Sequence, residues 1–173
     1  MWDFFETVRH RHSIRKYQTD TPVEEEKLNA ILEMACAAPS AGDLQAYHIT
    51  VVRSEGIREQ LAAAASGQQF IAEAPVVLVF SADPVRSAER FGERGATIYA
   101  LQDTTIAATY VQLAVVAAGL SSTWVGEFDE RRVRELLELE ADRVPLSLLS
   151  IGYPAETGEL SPRRPLNEMV SWR

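Results

Sequence analysis

One cysteine, two lysines and three histidines in 173 residues leave few chemistries that rest on those side chains. Cys36 has no partner for an internal disulfide. Its surroundings, Met34-Ala35-Cys36-Ala37-Ala38, read as those of a small buried hydrophobe in a helix rather than of a nucleophile, and a cytoplasmic, reducing compartment fits that usage. His10, His12 and His48 lack cysteines at metal-ligand spacing and an accompanying acid pair, so no metal is expected. Lysine occurs only at 16 and 27 and the formal net charge is -8, a poor balance for neutralising a run of phosphates, so no nucleic acid partner is expected. No Gly-x-Gly-x-x-Gly follows a strand pattern, which disfavours a Rossmann cofactor site. The longest weakly polar stretch, 106–120, is interrupted by Thr109, Tyr110 and Gln112. It falls short of the ~20 apolar residues of a bilayer span, so no membrane partner is expected. Met1-Trp2-Asp3-Phe4-Phe5-Glu6 places acids and aromatics where a secretory signal has a basic start, and export is not expected.

What is present is an ordinary globular composition, 46% hydrophobic, read as a single domain over 1–173. Phe4, Phe5 and Val8 suggest a short amphipathic helix over 2–10. Thr21-Pro22-Val23-Glu24-Glu25 resembles a capped helix start, with Leu28, Ile31, Leu32 and Ala35 on one face to about residue 38. Pro39-Ser40-Ala41-Gly42-Asp43 breaks it. His48-Ile49-Thr50-Val51-Val52 suits a strand, 57–65 a helix, and Pro75-Val76-Val77-Leu78-Val79-Phe80 a strand buried on both faces near the middle of a sheet. Residues 83–95 are polar and read as a loose helix or a lid. A helix over 99–118 is apolar on more of its surface than one small monomer covers. A strand over 122–125, a helix capped by Asp129 and ending near 137, and a strand over 146–151 follow. The tail carries Leu166, Met169, Val170 and Trp172, which must dock on something. Without regular βαβ spacing, the fold class is α+β.

Against the acidic total, basic residues gather near both ends. Arg9-His10-Arg11-His12-Ser13-Ile14-Arg15-Lys16 lies near the start and Pro162-Arg163-Arg164-Pro165-Leu166 near the finish. Concentrated arginine in a chain that repels polyanions points to one small anionic ligand, a phosphate group above all, because the guanidinium fork matches its oxygens in pairs. Solvated or salt-bridged surface is the plainer explanation of either cluster taken alone.

Four segments, taken together, shift that balance: Arg11-His12-Ser13-Ile14-Arg15-Lys16-Tyr17, Ala38-Pro39-Ser40-Ala41-Gly42-Asp43-Leu44-Gln45, Gly119-Leu120-Ser121-Ser122-Thr123-Trp124-Val125-Gly126, and Pro162-Arg163-Arg164-Pro165-Leu166. In order and spacing they resemble the nitroreductase family of FMN-dependent oxidoreductases, across residues 4–170. The resemblance implies a mixed, largely antiparallel sheet flanked by helices, in an interlocked homodimer with FMN at the subunit interface. It implies that Arg11, His12, Ser13 and Arg15 hold the ribityl phosphate and one flavin edge, with Arg163 and Arg164 completing the phosphate site. Pro39, Ser40, Ala41, Gly42 and Gln45 match a loop lying against the flavin from the other subunit, although a helix stop and turn also explain them. Asp43 stands where many relatives carry Asn. Trp124, Val125, Gly126 and Glu127 match a stretch over the isoalloxazine, a backbone N–H of Gly126 or Glu127 facing the reactive edge; Trp124 as plain core is the alternative. Gln68 or Gln69 matches the pyrimidine contact, with nothing to choose between them.

The implied activity is electron transfer from NADH or NADPH through FMN to a small-molecule acceptor such as a nitroaromatic or quinone, by a ping-pong mechanism. No catalytic triad or carboxylate pair is needed, since the cofactor carries the chemistry. The same resemblance leaves room for other flavin reactions, dehalogenation or flavin fragmentation, and for a non-catalytic flavin-binding protein.

Overall fold

The computed structural model describes residues 3–158 and 161–173; Trp2, placed above in the first helix, lies outside them. Four strands form one sheet, β1 (Tyr47–Val52), β2 (Val76–Ala82), β3 (Ser121–Val125) and β4 (Val144–Gly152), in the order β1-β2-β4-β3. All three pairings are antiparallel, and a parallel bridge joins Ser13 to Ser122. The helices are α1 (Phe4–His10), α2 (Glu25–Cys36), α3 (Glu55–Ala64), α4 (Phe70–Glu73), α5 (Pro84–Arg94), α6 (Ala100–Ala117), α7 (Glu130–Leu136) and α8 (Leu166–Met169). The class is α+β, as the sequence implied.

β2 is buried at all seven positions because it is an interior strand covered on both faces. On one face α2 and α6 pack over Leu78, Phe80, Leu149 and Ile151. On the other, α3, α4 and α7 pack over Val77, Val79, Val125 and Leu148. The period-two alternation of each strand thus feeds two separate cores.

Several expectations are corrected by packing. Cys36 is exposed, not buried. Leu28, Ile31 and Ala35 form the inward stripe of α2, and Cys36 lies about 100° around the helix from Ala35. That helix begins at Glu25, with Glu24 as an N-cap that makes no side-chain cap, so Pro22 precedes it rather than sitting in its first turn. Residues 83–95 form a helix, capped by the Asp83 side chain on the Arg86 N–H at 3.0 Å and kinked at Gly92. It runs through a π-helical turn over Gly95–Tyr99 directly into α6. The short α4 was not anticipated, being too brief for periodicity to reveal. Asp129 caps α7 as expected, accepting the Arg132 N–H at 3.0 Å.

After β4 the chain pairs back on the arginine segment. Gln18 N–H donates to Tyr153 O at 2.9 Å, Ala155 N–H to Lys16 O at 2.9 Å, and Tyr17 bridges Pro154. The Tyr17 hydroxyl is buried against Ser150 Oγ at 2.7 Å. Burial pushes its phenol up from 10.0 to about 12, against the lowering effect of hydrogen bonds to Ser150 and Thr123. Below pH 10 the phenol is protonated in both folded and unfolded chains. Above it the unfolded chain loses the proton first, so stability is expected to fall between pH 10 and about 12, by roughly 2–3 kcal/mol. Denaturant unfolding of the native chain and Tyr17→Phe at pH 9 and pH 11 checks this: the gap between the two should narrow as pH rises.

Candidate functional site

The arginine segment is extended because α1 ends at His10 and the chain is then captured by the sheet. Ile14 buries its side chain, its N–H donates to Ser122 O at 3.3 Å, and its carbonyl accepts the Thr123 hydroxyl at 2.6 Å. Alternation then turns Ser13 and Arg15 outward, and both are exposed. They line a cleft of about 380 Å³ whose other wall is Glu156, Thr157, Gly158 and Ser161. The Arg15 guanidinium lies 5.7 Å from the centroid of the ring of Phe70, a buried residue at the start of α4.

Two residues give this cleft its shape without any local mark in the sequence. Glu156 Oε1 accepts the N–H groups of Arg15 at 2.7 Å and Lys16 at 3.2 Å, so its charge is directed at backbone donors. Gly158 backs directly onto the His12 side chain, and any Cβ there would clash with the His12 Cβ and ring. Arg11 and His12 are half-buried at the start of the same strand-like run.

The other expected residues fall in three places. Gly126 and Glu127 follow β3, exposed, where the chain turns so that Asp129 N–H reaches Ala64 O at 2.9 Å. This brings them beside the end of α3, to which Gln68 is tied through its amide donating to Ala65 O at 3.0 Å. Gln69 is exposed at the N-cap of α4. Val125 points into the α3/α4/α7 core, whereas Trp124 packs on the α2/α6 side beside its pairing partner Leu149.

The 39–45 loop lies elsewhere. It enters β1 at Tyr47, and Ala46 O accepts the Asp83 N–H at 2.9 Å, at the end of the sheet where Ala82 pairs with Val144. The arginine segment sits at the opposite end, where Ser121 pairs with Gly152. About 25 Å of β4 separates the two ends. The loop is nevertheless rigidly held. Gln45 N–H donates to Ser40 Oγ at 3.0 Å and its side-chain amide to Cys36 O at 3.0 Å. Arg90 Nη1 donates to Gly42 O at 2.9 Å and Arg86 Nε to Leu44 O, both from α5. Ala41 N–H donates to Asp103 Oδ1 at 2.8 Å, from α6. Gly42 has φ of 57°, and a side chain there would also meet the Arg90 guanidinium.

Arg163 and Arg164 make local contacts. Arg163 Nη1 donates to Ser161 O and Pro162 O at 3.3 Å each, and Arg164 pairs with Glu168 at 3.1 Å. Sequence reading missed Glu156, Phe70, Asp103, Arg86 and Arg90. Asp103 alone had a readable signal, a carboxylate inside an apolar helix.

The site's donor set can be tested against a phosphorylated, flat, amide-bearing ligand. The cleft falls in the size range of small-molecule sites. Ser13 and Arg15 supply hydroxyl and guanidinium donors, and Glu156 is turned to backbone N–H groups. Such residues fit FMN.

A model of the nitroreductase family matches residues 8–72 and 62–153. An NADH dehydrogenase of Thermus thermophilus is 37% identical over 190 residues, covering 94% of this chain and 92% of its own. A nitroreductase-type structure from Exiguobacterium sibiricum in complex with FMN superposes with a TM-score of 0.90 at 25% identity, covering 100% of this chain and 98% of that one. NADPH:FMN oxidoreductase from Vibrio harveyi complexed with NAD+ superposes with a TM-score of 0.89 at 28% identity, over 97% of this chain and 76% of the other.

Proposed function

The chain belongs to the nitroreductase family, and we propose that this NAD(P)H-dependent flavin oxidoreductase passes electrons to a small oxidised acceptor such as a nitroaromatic or quinone. FMN, when bound, supplies the uptake and release of hydride, so that NAD(P)H and acceptor use one pocket in turn by a ping-pong mechanism. The chain's own residues bind and orient. Arg11, Ser13 and Arg15 hold the phosphate and one flavin edge, and Gln68 or Gln69 faces the pyrimidine. A backbone N–H of Gly126 or Glu127 donates to the reactive edge without adding a titrating group.

The observation that carries the reading is the separation of two half-sites within one chain. The Ser13/Arg15 cleft and the 39–45 loop occupy opposite ends of the sheet, so one FMN meets both only if a second copy supplies the loop. The surface left uncovered supports a homodimer. Phe4 and Phe5 are each 67% exposed, and a groove of about 480 Å³ lined by Phe4, Met34, Tyr110 and Leu113 runs between α1, α2 and α6. The tail extends Leu166, Met169 and Trp172 into solvent, Trp172 at 88% exposure. Docking of that tail on the partner would also carry Arg163 and Arg164 toward a phosphate. Among the described residues no helix is long and apolar enough to cross a membrane, and a cytoplasmic setting is part of the same reading.

The test is the absorbance spectrum of the purified protein. Flavin bands should be present or appear on adding FMN, bleach anaerobically with NADH or NADPH, and return when a quinone is added. Protein that takes up no FMN overturns the reading. Protein that binds FMN but is not bleached by either donor is a flavin carrier instead.

A further inference from the structure

Asp103 is 2% exposed, near the start of the largely apolar α6. Its Oδ1 accepts the Ala41 N–H at 2.8 Å, and its Oδ2 is buried without a hydrogen-bond partner among the described residues. Removing a carboxylate from water for a single hydrogen bond is unfavourable, and an apolar side chain of the same shape would fill the space at lower cost. α6 continues directly from the π-helical turn, so no free helix N-terminus compensates the charge of Asp103. Stability therefore does not account for an acid at 103.

The bond it makes does. The loop it holds carries three positive φ angles, 57° at Gly42, 58° at Asp43 and 49° at Gln45, two of them at residues with a Cβ. Such backbone persists only when its surroundings over-determine it. Arg86 and Arg90 grip the loop's carbonyls from α5, while Asp103 grips an N–H from α6, so the loop is held from two helices. We propose that Asp103 is a positioning residue for the flavin: its grip on Ala41 sets residues 40–42 in the shape that lies against FMN bound mainly by the other copy. The proposal rests on the reading of this loop as a flavin-covering segment.

Two substitutions separate positioning from mere packing. Asp103→Leu keeps shape and deletes the acceptor; Asp103→Asn keeps both shape and acceptor. FMN is titrated into each apoprotein by fluorescence quenching, and thermal unfolding of the apoprotein is followed alongside. Asp103→Leu should remain folded, with the gain from removing a buried carboxylate set against the unpaired Ala41 N–H, yet bind FMN about tenfold or more weakly, since the loop loses the acceptor that holds it. Asp103→Asn should rescue binding to near the native value. Native-like FMN affinity in Asp103→Leu overturns the proposal. So does binding in Asp103→Asn as weak as the leucine variant is expected to show, a comparison that stands even if Asp103→Leu fails to fold. Failure of the native chain to bind FMN would instead defeat the flavin reading itself.

Discussion

Arg15→Ala and Arg11→Ala are expected to purify with little bound FMN while folding normally. Arg15 is exposed; its N–H donates to Glu156, and its guanidinium makes one exposed cation–π contact, with Phe70. The structural cost of either truncation should therefore be small. The ligand cost should be large, because a charge-assisted hydrogen bond to phosphate or to a flavin edge contributes about 1.5–3 kcal/mol, or roughly 10–150-fold in affinity. Flavin content per chain after gel filtration, followed by FMN titration of the apoprotein, measures the effect. Retention equal to that of the native protein in both variants would remove these residues from the site.

A sharper result is expected from mixing two defects. Gly42→Val places a β-branched residue at φ of 57° and drives its side chain into Arg90 and Phe91, so the loop loses its shape while the arginine segment, at the other end of the sheet, is untouched. Arg11→Ala does the reverse. In the proposed homodimer, each variant alone then has two damaged sites. A mixed dimer, isolated through a different tag on each chain, has one site carrying both lesions and one carrying neither. It should bind one FMN, while both parent homodimers bind almost none. If the mixed dimer is as empty as its parents, each site is built within one chain and the two-copy reading falls. The result does not depend on absolute affinity, because parents and mixture are compared at one FMN concentration.

Features that depend on neighbouring residues are legible in the amino-acid sequence alone. The apolar run of β2 predicted an interior strand, Asp129 predicted a helix start, and the order of four short segments pointed to the family. Each of these is a local pattern that propensity, capping chemistry or motif spacing reads directly. What depends on which residue meets which across the fold was not legible. Cys36 looked buried because its neighbours are apolar, but Ala35 holds the inward position. Glu156 shapes the cleft by reaching N–H groups 140 and 141 residues away, and Asp103 holds a loop 62 residues away. The resemblance implied that the arginine segment and the 39–45 loop meet one flavin from two subunits, but their distance within one chain is set by the antiparallel register of β2, β3 and β4, which puts them at opposite ends of the sheet. Composition and motif determine what each segment can bind; the register of the sheet decides which segments one chain can bring to the same ligand, because strand direction sets the distance between their ends.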